Sequence, residues 1–149
     1  VYCDSLDYHA HNDHSLSVEQ HFSNSYCNIV IETHWDVDQS GGAFITEKTF
    51  KPIKNGQLFV IAGAAGSLAT LRKLGYRTFD SVIDNSYDLE TNNTQRWLKL
   101  RETILGIQKN LPDIYQQCVK DIEHNQQLFC ASKIDRLNTL QQRLVNEQS

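Results

Sequence analysis

The chain has 149 residues, of which 40% are apolar and 21% charged, and its net charge is −4 at pH 7. Such a length and composition are typical of one soluble domain with its own core. The sequence lacks the basic stripe of a general nucleic-acid binder and any apolar run long enough to span a bilayer. We therefore expect a single domain over residues 1–149, with no nucleic-acid partner and no membrane span.

The cysteines carry no pairing pattern. Cys3, Cys27, Cys118 and Cys130 form no CxxC spacing, so neither a zinc site nor a redox motif is indicated. We expect reduced thiols and a cytoplasmic protein. The chain starts at Val1 and contains no Met, which favours a fragment of a longer protein or a processed product.

Residues 1–24 are polar and His-rich, and we expect an irregular segment or a linker remnant there. His9, His11 and His14 fall within six residues and could bind a metal ion. No nearby Cys or Glu completes a recognised ligand spacing. We therefore predict no dedicated metal site.

Two apolar runs, "CNIVIET" (27–33) and "QLFVIAG" (57–63), have the little alternation that is typical of strands buried on both faces of a parallel sheet. "SLATLRKLG" (67–75) predicts a helix capped by Ser67 and ended by Gly75. "YRTF" and "VID" predict a short strand or extended piece. This alternation predicts an α/β fold, with a Rossmann-like parallel sheet and flanking helices over residues 25–90.

The segment between the two strands predicts one helix. Thr46 is a plausible N-cap, and the helix would run to about Asn55 and end at Gly56. Pro52 lies inside it and removes a hydrogen bond, so we expect a short or bent helix. Its apolar side would be formed by Ile45, Thr49, Phe50 and Ile53.

Residues 91–149 predict a C-terminal helical segment of three helices, separated at "NLPD" and at "FCASK". Their apolar stripes would be Trp97, Leu100, Ile104, Ile107 and Leu111, then Ile114, Cys118, Ile122 and Leu128, then Ile134, Leu137, Leu140, Leu144 and Val145.

Glu47 and Lys48 stand at the predicted start of the first helix, beyond the carboxyl end of the first strand. Open parallel sheets bind ligands at that end, and a helix N-terminus suits a phosphate. Lys48 could add a charge to the phosphate, and Glu47 could bind a ribose diol. The alternative is a solvated face in which Glu47 and Lys51 form an ordinary surface pair.

Two further stretches allow two interpretations each. "GAAGS" (63–67), with Gly63 and Gly66, is either a turn that lets backbone approach a ligand or a tight strand-to-helix turn. "FDSVIDNSYD" carries Asp80, Asp84 and Asp88, which could bind magnesium, but its composition favours a solvated loop.

The ordered string "FITEKTFKPIKNGQLFVIAGAAGSLATLRKLGYRTFDSVIDNSYD", with "IVIET" before it, resembles the C-terminal, nucleotide-sugar-binding half of GT-B-fold glycosyltransferases of phage, viral and marine microbial type. It is more distantly similar to the α1,3-fucosyltransferases, whose hallmark "[FY]-x-[ST]-E-K" reads here as residues 44–48. The resemblance covers about residues 25–107.

This resemblance implies a GDP- or UDP-linked sugar donor and a glycan or other acceptor. It implies that Glu47 contacts the donor ribose, that Lys48 approaches the diphosphate and that Thr46 stands at the helix start. Such enzymes usually need no metal or other cofactor. Their acceptor lies on a second domain for which this chain has no room, and no catalytic residue is assigned. The alternative is a non-enzymatic interaction module that forms a homodimer through its C-terminal helices.

Overall fold

The computed structural model describes residues 22–36 and 43–147, with side chains as far as residue 133. The predictions for residues 1–21 and for the three N-terminal histidines lie outside the described residues. The third apolar stripe lies on described backbone, but its side chains are outside the described part of the chain. Along the chain come β1 (Cys27–Ile31), α1 (Glu47–Lys54), β2 (Leu58–Ala62), α2 (Ser67–Lys73), a 3₁₀-helix (Ser86–Leu89), α3 (Asn93–Gln108) and α4 (Leu111–Glu147).

The two strands pair in parallel, with Cys27 opposite Leu58 and Ile31 opposite Ala62. This makes the chain a mixed α/β protein whose described sheet has two strands. β2 is buried along its whole length, as predicted. β1 is not: Ile29 is 48% exposed and Ile31 is 70% exposed. The prediction that β1 is covered on both faces is wrong, because the described chain covers the side of Ile29 and Ile31 only in part.

α1 forms as predicted, and both of its ends have identifiable causes. Thr46 is the N-cap, and its hydroxyl accepts a hydrogen bond from the backbone N–H of Lys48 at 3.3 Å. At the other end Gly56 adopts a left-handed φ of +66°. The N–H of Gly56 then bonds to the carbonyl of Ile53, and the N–H of Gln57 to that of Pro52. This Schellman arrangement satisfies the last carbonyls, so the helix stays short.

The predicted third strand or extended piece does not form a strand. The buried side chain of Asn125, on α4, bonds to both backbone groups of Arg77: it accepts from the N–H at 2.8 Å and donates to the carbonyl at 2.9 Å. A neighbouring strand would normally satisfy those two groups. The α4 side chain therefore takes the place of a strand partner.

The C-terminal segment contains two described helices rather than three. A break between α3 and α4 is confirmed, but α4 runs through "FCASK" without interruption. That stretch contains no Gly or Pro, and the hydroxyl of Ser132 bonds back to the carbonyl of Phe129 at 2.9 Å within the helix. The separation predicted there is wrong.

The core lies between β2 and the helices. α1 packs on α4, where the rings of Phe50 and Phe129 stack at 6.1 Å. Trp97, predicted in the α3 stripe, is 52% exposed, whereas Arg96 beside it is only 1% exposed. Fully buried apolar side chains in this core include Ile53, Leu58, Ile61, Leu68, Leu71, Phe79 and Leu100.

Candidate functional site

Glu32 joins the carboxyl end of β1 to the start of α1. It directly follows the strand and is 6% exposed. Its carboxylate accepts from the backbone N–H of Thr46 at 3.1 Å, from the Thr46 hydroxyl at 2.6 Å and from the Thr49 hydroxyl at 2.6 Å. These bonds hold the first turn of α1 at the edge of the sheet where both parallel strands end. The predicted residues Thr46, Glu47 and Lys48 are thereby brought to that edge.

The side chains of Glu47 and Lys48 are exposed at this edge. The Lys48 ammonium donates to the hydroxyl of Thr33 at 3.3 Å. An ammonium has three donors, so Lys48 keeps bonding capacity for an anion. Phe44 is 57% exposed, and its ring meets that of His34 edge-on at 5.8 Å. The start of α1 is therefore a polar turn bordered by aromatic rings.

The glycine turn after β2 lies beside the same edge. A Cβ added to Gly63 would stand 3.2 Å from the Cβ of Glu32 and 3.1 Å from the hydroxyl of Ser67. Glycine at this position therefore allows the end of β2 and the residue after β1 to approach closely. Gly66 has a φ of +84° and is the N-cap of α2. Both glycines have a structural reason, and their contact with a ligand stays a prediction.

Asp88 caps α2 from the 3₁₀-helix. It is 2% exposed, and its carboxylate accepts from the N–H groups of Leu68 at 2.9 Å and Ala69 at 3.1 Å. Ser67 is not the cap, because its hydroxyl donates to the carbonyl of Ala64 instead. The prediction of a solvated Asp88 is also wrong. A phosphate at this helix start would have to displace the Asp88 carboxylate.

The other two acids of that stretch also make local bonds. Burial works to raise the pKa of Asp80, but hydrogen bonds from Arg72, Thr78 and Asn85 outweigh it and hold the pKa at about 2. Asp84 accepts from the backbone N–H of Ser86 at 2.9 Å. Within residues 22–36 and 43–133, no group of three or more His, Cys, Asp or Glu side chains could hold a metal ion.

Arg96 ties the segment after β1 to the start of α3. Its guanidinium donates to the carbonyl of Trp35, to the carbonyl of Glu90 at 2.9 Å and to the side chain of Asn93 at 2.7 Å. It also lies over the Trp35 ring, 4.5 Å from the centroid. Asn93 in turn donates to the carboxylate of Asp36.

Sequence reasoning missed both Glu32 and Arg96 as site-building residues. An acidic residue directly after a buried strand was the available signal for Glu32. For Arg96 the signal was helical spacing, since it lies one turn before Leu100 on the buried face of α3.

Two of the three cysteines in the described part of the chain are poor nucleophile candidates. Burial raises the pKa of Cys27 to about 12. Burial, with a smaller effect of the nearby Asp121 charge, raises the pKa of Cys118 to about 11. Both thiols are therefore protonated at neutral pH, and thiolate chemistry is not favoured at either.

Comparisons with protein-family models, with curated proteins and with solved structures gave no significant match to this chain. A search of the helices within the described ranges also found none with the length and hydropathy of a membrane-spanning segment.

Proposed function

We propose that this chain is the donor nucleotide-sugar-binding part of a GT-B-type glycosyltransferase, with a Rossmann-like fold, and that it works with an acceptor domain it does not itself contain. The observation that carries the proposal is the position of Glu47 and Lys48. Both are exposed on the first turn of α1, and the bonds of Glu32 to Thr46 hold that turn at the carboxyl edge of the parallel sheet. The resemblance of residues 44–48 to the fucosyltransferase motif supports the same assignment.

The first turn of α1 suits a nucleoside diphosphate that is held by one cationic side chain, that of Lys48. Because Glu32 already accepts from the Thr46 N–H, the first turn has less free positive character than an uncapped helix start. The diphosphate would therefore depend on Lys48, which would also stabilise the departing diphosphate during transfer. Glu47 would accept hydrogen bonds from the ribose diol.

In the proposed site, the glycine turn also borders the donor but offers no second position for an anion. Gly63 lies beside Glu32, so the turn after β2 is close to the start of α1. Asp88 already binds the N–H groups of Leu68 and Ala69, so α2 has few donors to offer. We therefore expect the diphosphate at α1, with Gly63 and Gly66 approaching the donor through their backbone only.

The test is a calorimetric titration of the chain with GDP and with UDP. We expect one of them to bind, and Lys48→Ala and Glu47→Ala to weaken the binding about tenfold or more. A hydrogen bond to a charged group contributes about 1.5–3 kcal/mol, and 1.4 kcal/mol is about tenfold in Kd.

Lys54→Ala is the matched control, because Lys54 is an exposed lysine of the same helix at its opposite end. It removes the same charge from the chain but leaves the first turn intact, so the affinity should stay near that of the wild type. Failure of the wild-type chain to bind either nucleotide at millimolar concentration would contradict the proposal. An equal loss of nucleotide affinity in Lys54→Ala and Lys48→Ala would show that the effect comes from the change in net charge alone.

A second candidate function, a homodimerising interaction module, is favoured by the outer face of α3. Trp97, Leu98 and Leu105 are 52%, 45% and 41% exposed there. On this hypothesis the face buries itself against a second copy of the chain. Sedimentation velocity should then show a concentration-dependent dimer that Leu105→Glu abolishes. Gln127→Glu, an equal charge change at an exposed residue of α4, should leave the dimer intact. A wild-type monomer at every concentration would exclude this candidate.

A further inference from the structure

We propose that Arg96 is a positioning residue for the donor site: it fixes the segment of residues 32–36, and through it the place of Lys48. The inference rests on the proposed function, which supplies the ligand. The effect of Arg96 on residues 32–36 can be tested without any ligand. Arg96 belongs to α3, and its hydrogen bonds reach Trp35, Glu90 and Asn93, so its effect on Lys48 is indirect.

Residues 32–36 connect two helix starts. On one side Glu32 binds Thr46, and Thr33 accepts from the Lys48 ammonium. On the other side the Trp35 carbonyl accepts from the Arg96 guanidinium, and the Asp36 carboxylate accepts from Asn93. The segment is thus held between α1 and α3, and a shift of its far end moves the Thr33 hydroxyl that steadies Lys48.

The guanidinium is suited to this role in a way that lysine is not. Its planar fork donates at once to the carbonyls of Trp35 and Glu90, while its face stacks on the Trp35 ring. A lysine at the same place supplies one point charge without the fork or the stack. Arg96 is also 1% exposed, so without it these carbonyls would be left partly unpaired away from water.

The experiment compares Arg96→Lys with wild type, using Arg101→Lys as the matched control on the exposed side of the same helix. Amide hydrogen exchange of the free protein is measured well below the melting temperature of each variant. The amides followed are those of Glu32, which donates to the carbonyl of Ala62, and Thr46, which donates to the Glu32 carboxylate. The second readout is the Kd of the nucleotide, GDP or UDP, that the wild type binds.

We expect Arg96→Lys to speed exchange of the Glu32 and Thr46 amides about tenfold or more and to weaken nucleotide binding to a similar degree. The exchange of β2 should stay as in the wild type, and Arg101→Lys should change neither readout. A purely structural role would instead raise exchange throughout the chain and leave the affinity of the folded fraction unchanged.

Asn93→Ala is a second variant that keeps the test decisive if Arg96→Lys does not fold. Asn93 is exposed, and its removal breaks the bonds to Arg96 and Asp36 only. It should give the same local pattern at smaller amplitude.

Unchanged exchange of the Glu32 and Thr46 amides, or a nucleotide affinity that stays at the wild-type value while the segment loosens, would overturn the positioning role. If the wild type binds no nucleotide, the proposed function fails, and the absence of a ligand to position overturns the role of Arg96 at a donor site as well. The exchange data then still report whether Arg96 fixes the segment.

Discussion

Glu32 and Asp88 are acidic side chains that each cap a helix from another part of the chain. Glu32 reaches the start of α1, and Asp88 reaches the start of α2. The first N–H groups of a helix lack partners within it and lie at its positive end, so a carboxylate there makes strong hydrogen bonds. Both side chains are almost fully buried, which makes the bonds necessary as well as favourable.

Replacing Asp88 should therefore destabilise the fold measurably. Asp88→Ala leaves the N–H groups of Leu68 and Ala69 without their acceptors, and we expect a loss of about 2 kcal/mol in the free energy of unfolding. Asp88→Asn keeps one acceptor oxygen and should lose less. Urea denaturation of these variants gives the values.

Asp84→Ala is the control for that series, since Asp84 is exposed and its carboxylate accepts from the N–H of Ser86 in a local turn. We expect its unfolding free energy to stay within about 0.5 kcal/mol of the wild type. Equal losses for Asp84→Ala and Asp88→Ala would contradict the capping role of Asp88.

At the scale of the elements, α1 shows how local chemistry sets a boundary. Thr46 begins the helix, and Gly56 ends it in a left-handed conformation that a side chain adopts only with strain. The following backbone bonds to Ile53 and Pro52 then direct the chain straight into β2. The length of α1 in turn fixes where its exposed first turn lies relative to the sheet.

Gly56→Ala should cost about 1–2 kcal/mol of unfolding free energy, because of the positive φ. The added Cβ would also stand 2.8 Å from the side chain of Gln126, which must move. Thermal or urea unfolding measures the loss.

Gly106→Ala is the opposite case and serves as the control. Gly106 lies inside α3, and a Cβ there would meet no atom within 4 Å. Alanine favours a helix over glycine by about 1 kcal/mol, so we expect this variant to be more stable than the wild type. A stabilising Gly56→Ala would contradict the left-handed turn.

The long C-terminal helix α4 supplies hydrogen-bonding side chains to other parts of the chain. α4 supplies Asn125 to the backbone of Arg77, Tyr115 to the carbonyl of Gly56 and Gln126 to the carbonyl of Lys54. These bonds satisfy chain segments far away in sequence. α4 therefore supplies hydrogen-bond partners to the loop at Arg77 and to the C-terminal end of α1.

At the scale of the whole molecule, the apolar surface is unevenly covered. β2 is buried throughout, whereas Ile29 and Ile31 of β1 and Trp97 of α3 remain largely exposed. Exposed apolar positions of this kind are common singly but are notable when they share one side of an element. Both proposed functions would bury such a surface, either against an acceptor domain or against a second copy of the chain.

Much of the core fold was predictable from the sequence because its causes are local. The apolar runs predicted β1 and β2, and Thr46 and Gly56 predicted the two ends of α1. The break between α3 and α4 also followed from the pattern. In the candidate site, the placement of Glu47 and Lys48 at the carboxyl edge of the sheet followed from the order of strand, loop and helix.

The elements that depend on short-range hydrogen bonding and on the hydrophobic pattern could thus be read from the sequence. Which side chains satisfy polar groups far along the chain depends on tertiary packing. α2 is capped by Asp88 and not by the predicted Ser67. The backbone of Arg77 bonds to Asn125 and not to a neighbouring strand, and the buried residue of α3 is Arg96 and not Trp97. In each case a buried polar group must find a partner wherever the packed chain brings one, and no local pattern records that choice.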